Sequence, residues 1–212
     1  MTNKLAIIGA GGLGRETLAL VRQVNQVQIS WELAGFFDDS RPGGEEVDGL
    51  KVLGGVRDVG SDSELNYVLA LGSPQLKESL VRSFRPGLKF ATLVHPRALI
   101  GDPERVRIGQ GCILTAGCIL TTSIQLGDHV LVNLNSTIGH DVSIGNHSSI
   151  MPGVHIAGSI IIGQSVLIGS GAKIINKAVL GDRAQVGAGS VVTKSVPPGV
   201  TVVGVPARKF KK

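Results

Sequence analysis

Aromatic side chains are scarce in this chain. Phe, Tyr and Trp make up 3% of the 212 residues, whereas 42% of the residues are hydrophobic and 30 are glycine. Aromatic rings supply much of the volume of an ordinary globular core. Without them, this protein must fill its interior with Ile, Leu, Val and Ala.

Cysteines and long apolar runs are also few. The two cysteines, Cys112 and Cys118, cannot form a disulfide scaffold and fall at the same phase of a repeat, so we interpret them as small core residues. No apolar run is long enough to span a membrane, and residues 1–4 lead directly into a strand-like segment rather than a signal peptide. We therefore expect a soluble, cytoplasmic protein without membrane insertion.

The charge of the chain is modestly basic. A formal net charge of +5 suits an anionic ligand. The lysines and arginines form no stripe with interleaved aromatic residues, which is the pattern typical of nucleic-acid binding. We therefore expect no nucleic-acid partner.

From residue 108 onward, aliphatic residues recur every six positions. A small or β-branched residue stands four positions after each of them, and glycine is the commonest residue directly after them. By chance such a run has a probability on the order of 10⁻⁸. The fifteen aliphatic positions, called here the marker residues, are Ile108, Leu114, Leu120, Leu126, Val132, Ile138, Ile144, Ile150, Ile156, Ile162, Ile168, Ile174, Leu180, Val186 and Val192.

This period predicts a solenoid. In a solenoid, each short strand points alternate side chains inward and a turn then changes the direction of the chain. We expect the marker residue to fill the interior, the small residue to pack beside it, and the glycine to permit a tight backbone at the corner. The unbroken register predicts about five coils without a protruding internal loop.

The first ninety residues follow another pattern. Predicted strands at 5–8, 33–37 and 67–71 alternate with predicted helices at 15–23 and 75–83. Glycines and turn residues follow the strand ends, as in βαβ units. The alternation indicates a small Rossmann-like α/β domain.

The two patterns together predict a mixed fold of two domains. Residues 1–92 are expected to form the Rossmann-like α/β domain and residues 93–212 the parallel solenoid. Residues 90–100 are interpreted as the segment that leads from one domain into the other.

A glycine-rich loop follows the first predicted strand and opens the first predicted helix. It contains Gly9, Gly11 and Gly14, and two acids, Asp38 and Asp39, stand about 24 residues beyond it. Such glycines let backbone N–H groups approach a pyrophosphate at a helix N-terminus. Three interpretations remain: NAD binding by an oxidoreductase, a structural turn, and binding of another nucleotide diphosphate such as a sugar nucleotide. The last suits half of a dinucleotide-binding fold best.

Three histidines bear on function. His129 and His147 are 18 residues apart and should lie at one corner of successive coils, about 4.8 Å apart. This would suit zinc, as in the γ-class carbonic anhydrases, but the histidines five residues apart that mark that class do not occur. We expect no metal and solvated corner residues instead. His140, two positions after Ile138, should project from another corner, where Asp141 could fix its tautomer; a turn histidine without a role is the alternative.

Five motifs in order along the chain resemble one known family. These are the bacterial sugar O-acyltransferases of the sialic acid O-acetyltransferase type, which include N-acetyltransferases acting on nucleotide-linked 4-amino-4,6-dideoxy sugars. The resemblance covers essentially the whole chain and implies a left-handed β-helix and a homotrimer with active sites between protomers. The motifs are Ile8-Gly-Ala-Gly-Gly-Leu-Gly-Arg-Glu16, Gly35-Phe-Phe-Asp-Asp39, Leu93-Val-His-Pro96, Val132-Asn133 with Ile138-Gly-His-Asp141, and Gly199-Val-Thr-Val-Val-Gly-Val-Pro-Ala-Arg208.

The resemblance also implies roles for individual residues. His140 would be the general base, Asp141 the acid that orients it, and Asn133 would face the acceptor sugar. Acetyl-CoA would be the cosubstrate and lie in the groove between neighbouring protomers. The nucleotide part of the acceptor would be held by Gly9, Gly11, Gly12, Gly14, Asp38 and Asp39.

One position departs from the family pattern. Nine residues after the general base, many members have a second histidine that helps to place the acetyl thioester, whereas this chain has Ser149. His147 or His155 could take over that contact, or the contact is missing. Ser149, His155 and Gly158 are therefore the candidates for acetyl-CoA binding, with the backbone N–H of Gly158 expected to meet the tetrahedral oxyanion.

These observations predict an acetyltransferase. The acetyl group of acetyl-CoA would pass to the amino group of a UDP- or other NDP-linked 4-amino-4,6-dideoxy sugar, with one general base and no side-chain nucleophile. O-acetylation of sialic acid or another sugar is an alternative, because the sequence does not distinguish an amine acceptor from a hydroxyl. A non-catalytic solenoid that binds nucleotide sugars or scaffolds partners is an alternative of another class.

Overall fold

A computed structural model describes residues 3–175 and 177–210, and its first ninety residues form an α/β unit. The six strands lie in the order β3-β4-β2-β1-β5-β6, and all neighbours are parallel except β3 and β4. The elements are β1 (Asn3–Ile8), α1 (Gly12–Val27), β2 (Trp31–Phe37), β3 (Glu46–Val47), β4 (Leu50–Gly54), a 3₁₀ turn (Val56–Asp58), β5 (Asn66–Leu69), α2 (Pro74–Ser83) and β6 (Lys89–Phe90).

The predicted strands and helices are present, with bounds that differ by a few residues. The helix predicted at 15–23 begins three residues earlier and ends four residues later, because the glycine loop itself forms its first turn. The second helix begins at Pro74, where the Ser73 hydroxyl accepts a hydrogen bond from the N–H of Leu76 at 3.3 Å. Strands β3 and β4, which form a hairpin at one side of the sheet, were missed because β3 has only two residues and both strands contain charged residues. Neither helix is long and apolar enough to cross a membrane.

The rest of the described chain is a parallel solenoid with three sheets. Strands in neighbouring coils pair residue by residue, mostly 18 positions apart. The first sheet contains β7 (Leu93–Val94), β10 (Ile113–Leu114), β13 (Leu131–Val132), β16 (Ser149–Ile150), β19 (Leu167–Ile168), β22 (Gln185–Val186), β24 (Thr201–Val203) and the antiparallel β25 (Arg208–Lys209). The second contains β8 (Leu99–Ile100), β11 (Ile119–Leu120), β14 (Thr137–Ile138), β17 (His155–Ile156), β20 (Lys173–Ile174) and β23 (Val191–Val192), and the third β9 (Val106–Ile108), β12 (Ile124–Leu126), β15 (Ser143–Ile144), β18 (Ile161–Ile162) and β21 (Val179–Leu180).

The marker residues form the interior of the solenoid, as predicted. All of them from Leu114 to Val192 are buried in one continuous cluster, and Ile108 packs against its end. Cys112 and Cys118 belong to the same cluster and are fully buried. Burial raises the pKa of the Cys112 thiol to about 11, so this side chain is an inert core residue.

The solenoid begins earlier than the repeat suggested. Residues 93–100, interpreted from the sequence as a connecting segment, form β7 and β8 of the first coil. This coil takes 20 residues from Val94 to Leu114 instead of 18, and the two extra residues lie in the turn before β9. The register changes again at the other end, where Val186 pairs with Val202, 16 residues later. Both irregular coils escape a search for a strict six-residue period.

Two backbone features recur at the corners between the strands of the solenoid. The residue three positions after each marker from Ile108 to Val186 has a positive φ, whether it is glycine, such as Gly111, or not, such as Asn135. The glycine directly after a marker has another purpose than the tight turn we expected. A Cβ on Gly145, for example, would lie 2.6 Å from the carbonyl carbon of Gly163 in the next coil. These glycines therefore allow the coils to stack closely.

The α/β unit covers the first sheet of the solenoid. Helix α1 shares a hydrophobic cluster with the outward side chains of that sheet, among them Leu93, Ile113 and Leu131. Helix α2 lies along the corner between the third and first sheets, where Lys77 donates a hydrogen bond to the carbonyl of His129. The corner between the second and third sheets is consequently the edge of the prism opposite the α/β unit.

Candidate active site

His140 stands at this opposite corner, between β14 and β15. Its Nδ1 is 2.8 Å from Oδ2 of Asp141, whose φ of 58° is the left-handed conformation that Ser123 and Ser159 adopt at the neighbouring corners. Both side chains are more than half exposed, at 56% and 61%. If Nδ1–H donates to the carboxylate, the other ring nitrogen, Nε2, carries the free lone pair. The pair therefore presents a base to ligands from outside the chain.

Gly158 lies under the imidazole in the next coil. A Cβ at this position would overlap the His140 ring at Nε2 and Cε1, so only glycine leaves room for it. The N–H of Ser159 donates to the carbonyl of His140 at 2.8 Å and fixes the two coils to each other. The sequence placed Gly158 near the base, and the structure explains why this residue must be glycine.

His155 lies on the second sheet, close to this corner. Its Nδ1 is 2.9 Å from the hydroxyl of Thr137, its strand partner in the preceding coil. Strand β14, which contains Thr137, leads to His140, and strand β17, which contains His155, leads to Gly158. The exposed imidazole of His155 therefore belongs to the same face as the candidate base.

Two other predicted site residues lie elsewhere in the chain. Ser149 is on the first sheet, fully buried beneath the α/β unit, and its hydroxyl has no hydrogen-bond partner among the described residues. Asn133 is 5% exposed at the corner between the first and second sheets, where its Oδ1 accepts the N–H of Leu134 at 2.7 Å. Within one chain, neither residue lies at the corner of His140.

A small cleft adjoins Asn133 and was not predicted. It has a volume of about 180 Å³ and lies between α1 and the solenoid. Its polar groups include Glu16, Gln23 and His95. His95 is hydrogen-bonded to Gln23 and accepts the N–H of Arg97, and burial, followed by the charge of Arg97, lowers its pKa. The His95-Pro96 motif was visible in the sequence, but nothing there indicated which side chains it would meet.

The glycine loop leads from β1 into the start of α1. Gly9 has a φ of 100°, and a Cβ on Gly14 would overlap the carbonyl of Gly9. By contrast, a Cβ on Gly11 or Gly12 would meet nothing within 4 Å. Gly9 and Gly14 therefore shape the loop, whereas Gly11 and Gly12 leave open space in front of the helix N-terminus.

Of the two acids, Asp38 is hydrogen-bonded to this loop and Asp39 to the 3₁₀ turn. Asp38 Oδ2 accepts the N–H of Ala10 at 2.7 Å, and its Oδ1 accepts the Ser40 hydroxyl and N–H. Burial opposes the ionisation of Asp38, but these hydrogen bonds outweigh it and lower its pKa. Asp39 accepts the N–H of Val56 at 2.7 Å. The acids line a cleft of about 250 Å³ at the carboxyl ends of β1, β2 and β5.

This cleft lies where open α/β sheets bind ligands. Strand order reverses about β1, with β2 on one side and β5 on the other, and such a switch point leaves a crevice beyond the strand ends. Only one half of a dinucleotide-binding fold is present in the described chain. The arrangement suits one nucleotide better than NAD.

The histidine pair on the third-to-first corner is not solvated, contrary to our expectation. His129 is 3% exposed, and its ring stacks on that of His147 with centroids 5.4 Å apart and an angle of 10°. Phe90 meets His129 edge-on at 4.6 Å. The described residues contain no cluster of His, Cys, Asp and Glu arranged to hold a metal ion. Packing of the α/β unit against this corner buries His129 and leaves His147 half-buried.

Comparison with known families agrees with both halves of this architecture. Residues 4–84 match the PglD N-terminal domain family. Residues 105–137 match the hexapeptide repeat of succinyl-transferase, and residues 159–194 match the bacterial transferase hexapeptide of six repeats.

Individual relatives point the same way. The acetyltransferase domain of PglB from Neisseria gonorrhoeae FA1090, in complex with acetyl coenzyme A, is 31% identical with a TM-score of 0.89, over 99% of this chain and 100% of that one. PerB from Caulobacter crescentus, in complex with CoA and GDP-perosamine, is 27% identical with a TM-score of 0.86, over 100% of this chain and 99% of that one. GDP-perosamine N-acetyltransferase of Escherichia coli O157:H7 is 31% identical over 66% of this chain and 63% of its own length.

A prism of hexapeptide coils with a histidine at one corner defines the class of this protein. The solenoid is a left-handed β-helix, and the chain belongs to the hexapeptide-repeat acyltransferase superfamily. Within that superfamily, it belongs to the group in which a PglD N-terminal domain precedes the repeats. The alignment with the curated relative covers less than two thirds of that relative's length.

Proposed function

We propose that the protein is an acetyl-CoA-dependent N-acetyltransferase whose acceptor is the amino group of a nucleotide-linked amino sugar. The observation that carries this proposal is the His140–Asp141 pair, in which the half-exposed imidazole lies over Gly158. Solved relatives in complex with CoA and GDP-perosamine support the same pair of substrates. Both are cytosolic metabolites, so we place the reaction in the cytoplasm.

The residues of the corner suffice for acyl transfer. Nε2 of His140 accepts a proton from the attacking amine as the C–N bond forms, and Asp141 stabilises the resulting imidazolium. The backbone N–H of Gly158 is the proposed donor to the oxyanion. When the C–S bond breaks, the imidazolium returns the proton to the departing thiolate. His155, on the same face, is the remaining candidate for contact with acetyl-CoA.

The acceptor is proposed to bind at the α/β unit. Its diphosphate would meet the open loop at Gly11 and Gly12, and the base would occupy the cleft beside Asp38 and Asp39. Asn133 directly precedes Leu134, which lines the cleft next to α1, where the sugar would extend towards the solenoid. Ser149 has no part in this proposal, because its side chain is buried beneath the α/β unit.

The distance between these two regions supports a homotrimer with active sites between protomers. In one chain the α/β unit covers the first sheet, and His140 stands at the opposite corner. The exposed second and third sheets have apolar outward residues, including Leu99 at 57% and Ile161 at 55% exposed. Packing of such faces around a threefold axis would bring His140 of one protomer towards the acceptor cleft of the next.

A thiol-release assay tests this proposal. Acetyl-CoA would be offered with GDP-perosamine, with UDP-linked 4-amino sugars and with sialic acid. Turnover with an amine acceptor supports N-acetylation, and turnover with sialic acid alone would transfer the assignment to an O-acetyltransferase. No turnover together with no acetyl-CoA binding in calorimetry would favour the non-catalytic nucleotide-sugar scaffold.

A further inference from the structure

One turn of α2 holds the α/β unit on the solenoid. It lies across a column of corner residues that repeat every 18 positions and all have a positive φ, namely His129, His147, Ser165 and Arg183. Lys77 donates to the carbonyls of His129 at 2.7 Å and Ser148 at 3.2 Å. Glu78 accepts the Ser165 hydroxyl at 2.7 Å and a guanidinium N–H of Arg183 at 2.8 Å. Two adjacent side chains thus contact successive coils.

The centre of this contact contains three basic side chains, of which Lys77 and His129 are buried. Lys77 is 1% exposed, although lysine is rarely buried. Beside it, the ring of His129 stacks on that of the half-buried His147 and meets the edge of Phe90. We call these three bases, Lys77, His129 and His147, the junction cluster.

The imidazoles of the junction cluster fit the site only in the neutral form. Nδ1 of His129 and Nδ1 of His147 are buried and have no hydrogen-bond partner among the described residues. An imidazolium donates from both ring nitrogens, so a proton on either Nδ1 would leave a buried charge without an acceptor. The neutral amine of Lys77, in contrast, can still donate to both carbonyls.

The surrounding charges do not offset this cost. Lys77 and Arg82 of α2 oppose a proton on His147, whereas Glu78 and Asp128 favour one. Glu78 is already paired with Arg82 at 2.6 Å and with Arg183. Cys112, the other titratable neighbour of Lys77, has a neutral thiol because burial raises its pKa to about 11.

The pKa of each of the three bases is lowered when α2 lies on the corner. Burial lowers the pKa of Lys77 to about 7 and that of His129 to about 4, and burial followed by the charge of Lys77 lowers the pKa of His147. Separation of α2 from the corner would return each base to water and its ordinary pKa. Protons therefore favour the separated state, through Lys77 between about pH 10.5 and pH 7 and through the two histidines below about pH 6.5.

We propose that the junction cluster is an acid-sensitive hinge between the two domains. When the cluster takes up protons, α2 leaves the corner and the α/β unit loses its fixed position, while the β-helix stays folded. The β-helix is unaffected because its interior consists mainly of aliphatic side chains without titratable charge. If the proposed function holds, acidification weakens nucleotide binding before it weakens acetyl-CoA binding.

Hydrogen exchange measured by mass spectrometry on the full chain tests the hinge without any substrate. Between pH 7.5 and pH 5, protection of residues 74–83, corrected for the intrinsic rate, should fall about tenfold. Protection of strands in the second sheet, such as β14, should not change. Unchanged protection of residues 74–83 down to pH 5 would overturn the proposal.

Matched variants identify the groups responsible. His129→Asn combined with His147→Asn should remove most of the pH dependence, because asparagine tolerates a positive φ and does not titrate. His147→Asn alone, at the less buried ring, should remove part of it and serves if the double variant does not fold. His155→Asn, which removes an exposed histidine, should keep the wild-type dependence. A double variant that loses as much protection as the wild type would refute the role of the cluster.

A binding measurement separates the hinge from the proposed function. Calorimetry with GDP should show weaker binding at pH 5.5 than at pH 7.5 in the wild type and a smaller difference in the double variant. Absence of GDP binding at both pH values would contradict the proposed acceptor, whereas the exchange experiment would still decide the hinge.

Discussion

The imidazole of His140 lies over the α-carbon of Gly158, 18 residues later and one coil further along the β-helix. The side chain of the candidate base thus occupies the space that any other residue at position 158 would fill. The ring is held from the other side by Asp141, at 2.8 Å from Nδ1. Gly158 and Asp141 therefore hold the imidazole of His140 from two sides.

Gly158→Ala should displace this ring. We expect kcat to fall about 10²-fold, because small misplacements of a catalytic group are costly, while the β-helix still folds. Steady-state kinetics and circular dichroism measure the two effects. Gly43→Ala is the matched control, since a Cβ there meets nothing within 4 Å. Full activity of Gly158→Ala would show that the position of His140 does not matter.

Removal of the base should be more severe. His140→Ala is expected to lower kcat by about 10²–10⁴-fold with unchanged acetyl-CoA affinity, because only proton transfer is lost. Kinetics and calorimetry on the same preparation measure this. Near-normal turnover would exclude His140 as the general base.

Asp141→Asn probes the partner of the base separately. Asparagine tolerates the φ of 58° at this corner, so the fold should not change. Loss of the carboxylate should lower kcat about 10–100-fold, less than loss of the imidazole. A decrease as large as that of His140→Ala would indicate that Asp141 does more than orient the ring.

The glycine loop offers a test that separates folding from binding. Gly14→Ala should destabilise the protein by about 1–3 kcal/mol, because its Cβ would overlap the Gly9 carbonyl. Gly12→Ala should leave stability unchanged, since its Cβ points into open space, but should weaken GDP binding. Thermal unfolding and calorimetry distinguish the two. Equal GDP affinity in Gly12→Ala and the wild type would place the diphosphate elsewhere.

The sequence predicted the solenoid well because its core depends on one local rule. Each coil repeats the same environment, so an aliphatic residue at every sixth position indicates an inward-pointing side chain. All markers from Leu114 onward are indeed buried. The first coil escaped notice because its two extra residues break the period before Ile108. Handedness came only from family resemblance, since periodicity is the same in either hand.

The sequence predicted only those contacts of the site that join residues close together in the chain. His140 and Asp141 are neighbours at one corner, and their contact follows from the repeat. Ser149 was predicted to be a site residue because it stands nine residues after His140. In the fold it lies on the first sheet, beneath the α/β unit. Lys77 carried no signal at all, because a lysine on a short helix ordinarily indicates a solvated face. Neither the βαβ alternation nor the six-residue repeat indicates which residues of the two domains contact each other.

The stability of the protein should fall in acid, and His129 should account for part of the loss. Because burial lowers its pKa to about 4 from an ordinary value of 6.5, the unfolded chain binds the proton more tightly. Above pH 6.5 the ring is neutral in both the folded and the unfolded chain, so it adds no pH dependence there. As the pH falls from 6.5 to 4, the free energy of unfolding decreases, by about 3 kcal/mol at most.

His129→Asn isolates this contribution from that of the carboxylates. Asp38 and Glu78, whose folded-state pKa values are lowered, also lose their stabilising effect in acid, in both proteins alike. Denaturant unfolding at pH 7.5 and pH 5 should therefore show a smaller acid-induced loss in the variant, although removal of the buried ring lowers its stability at both pH values. An equal loss in variant and wild type would mean that the His129 ring is already protonated, or already in water, in the folded protein.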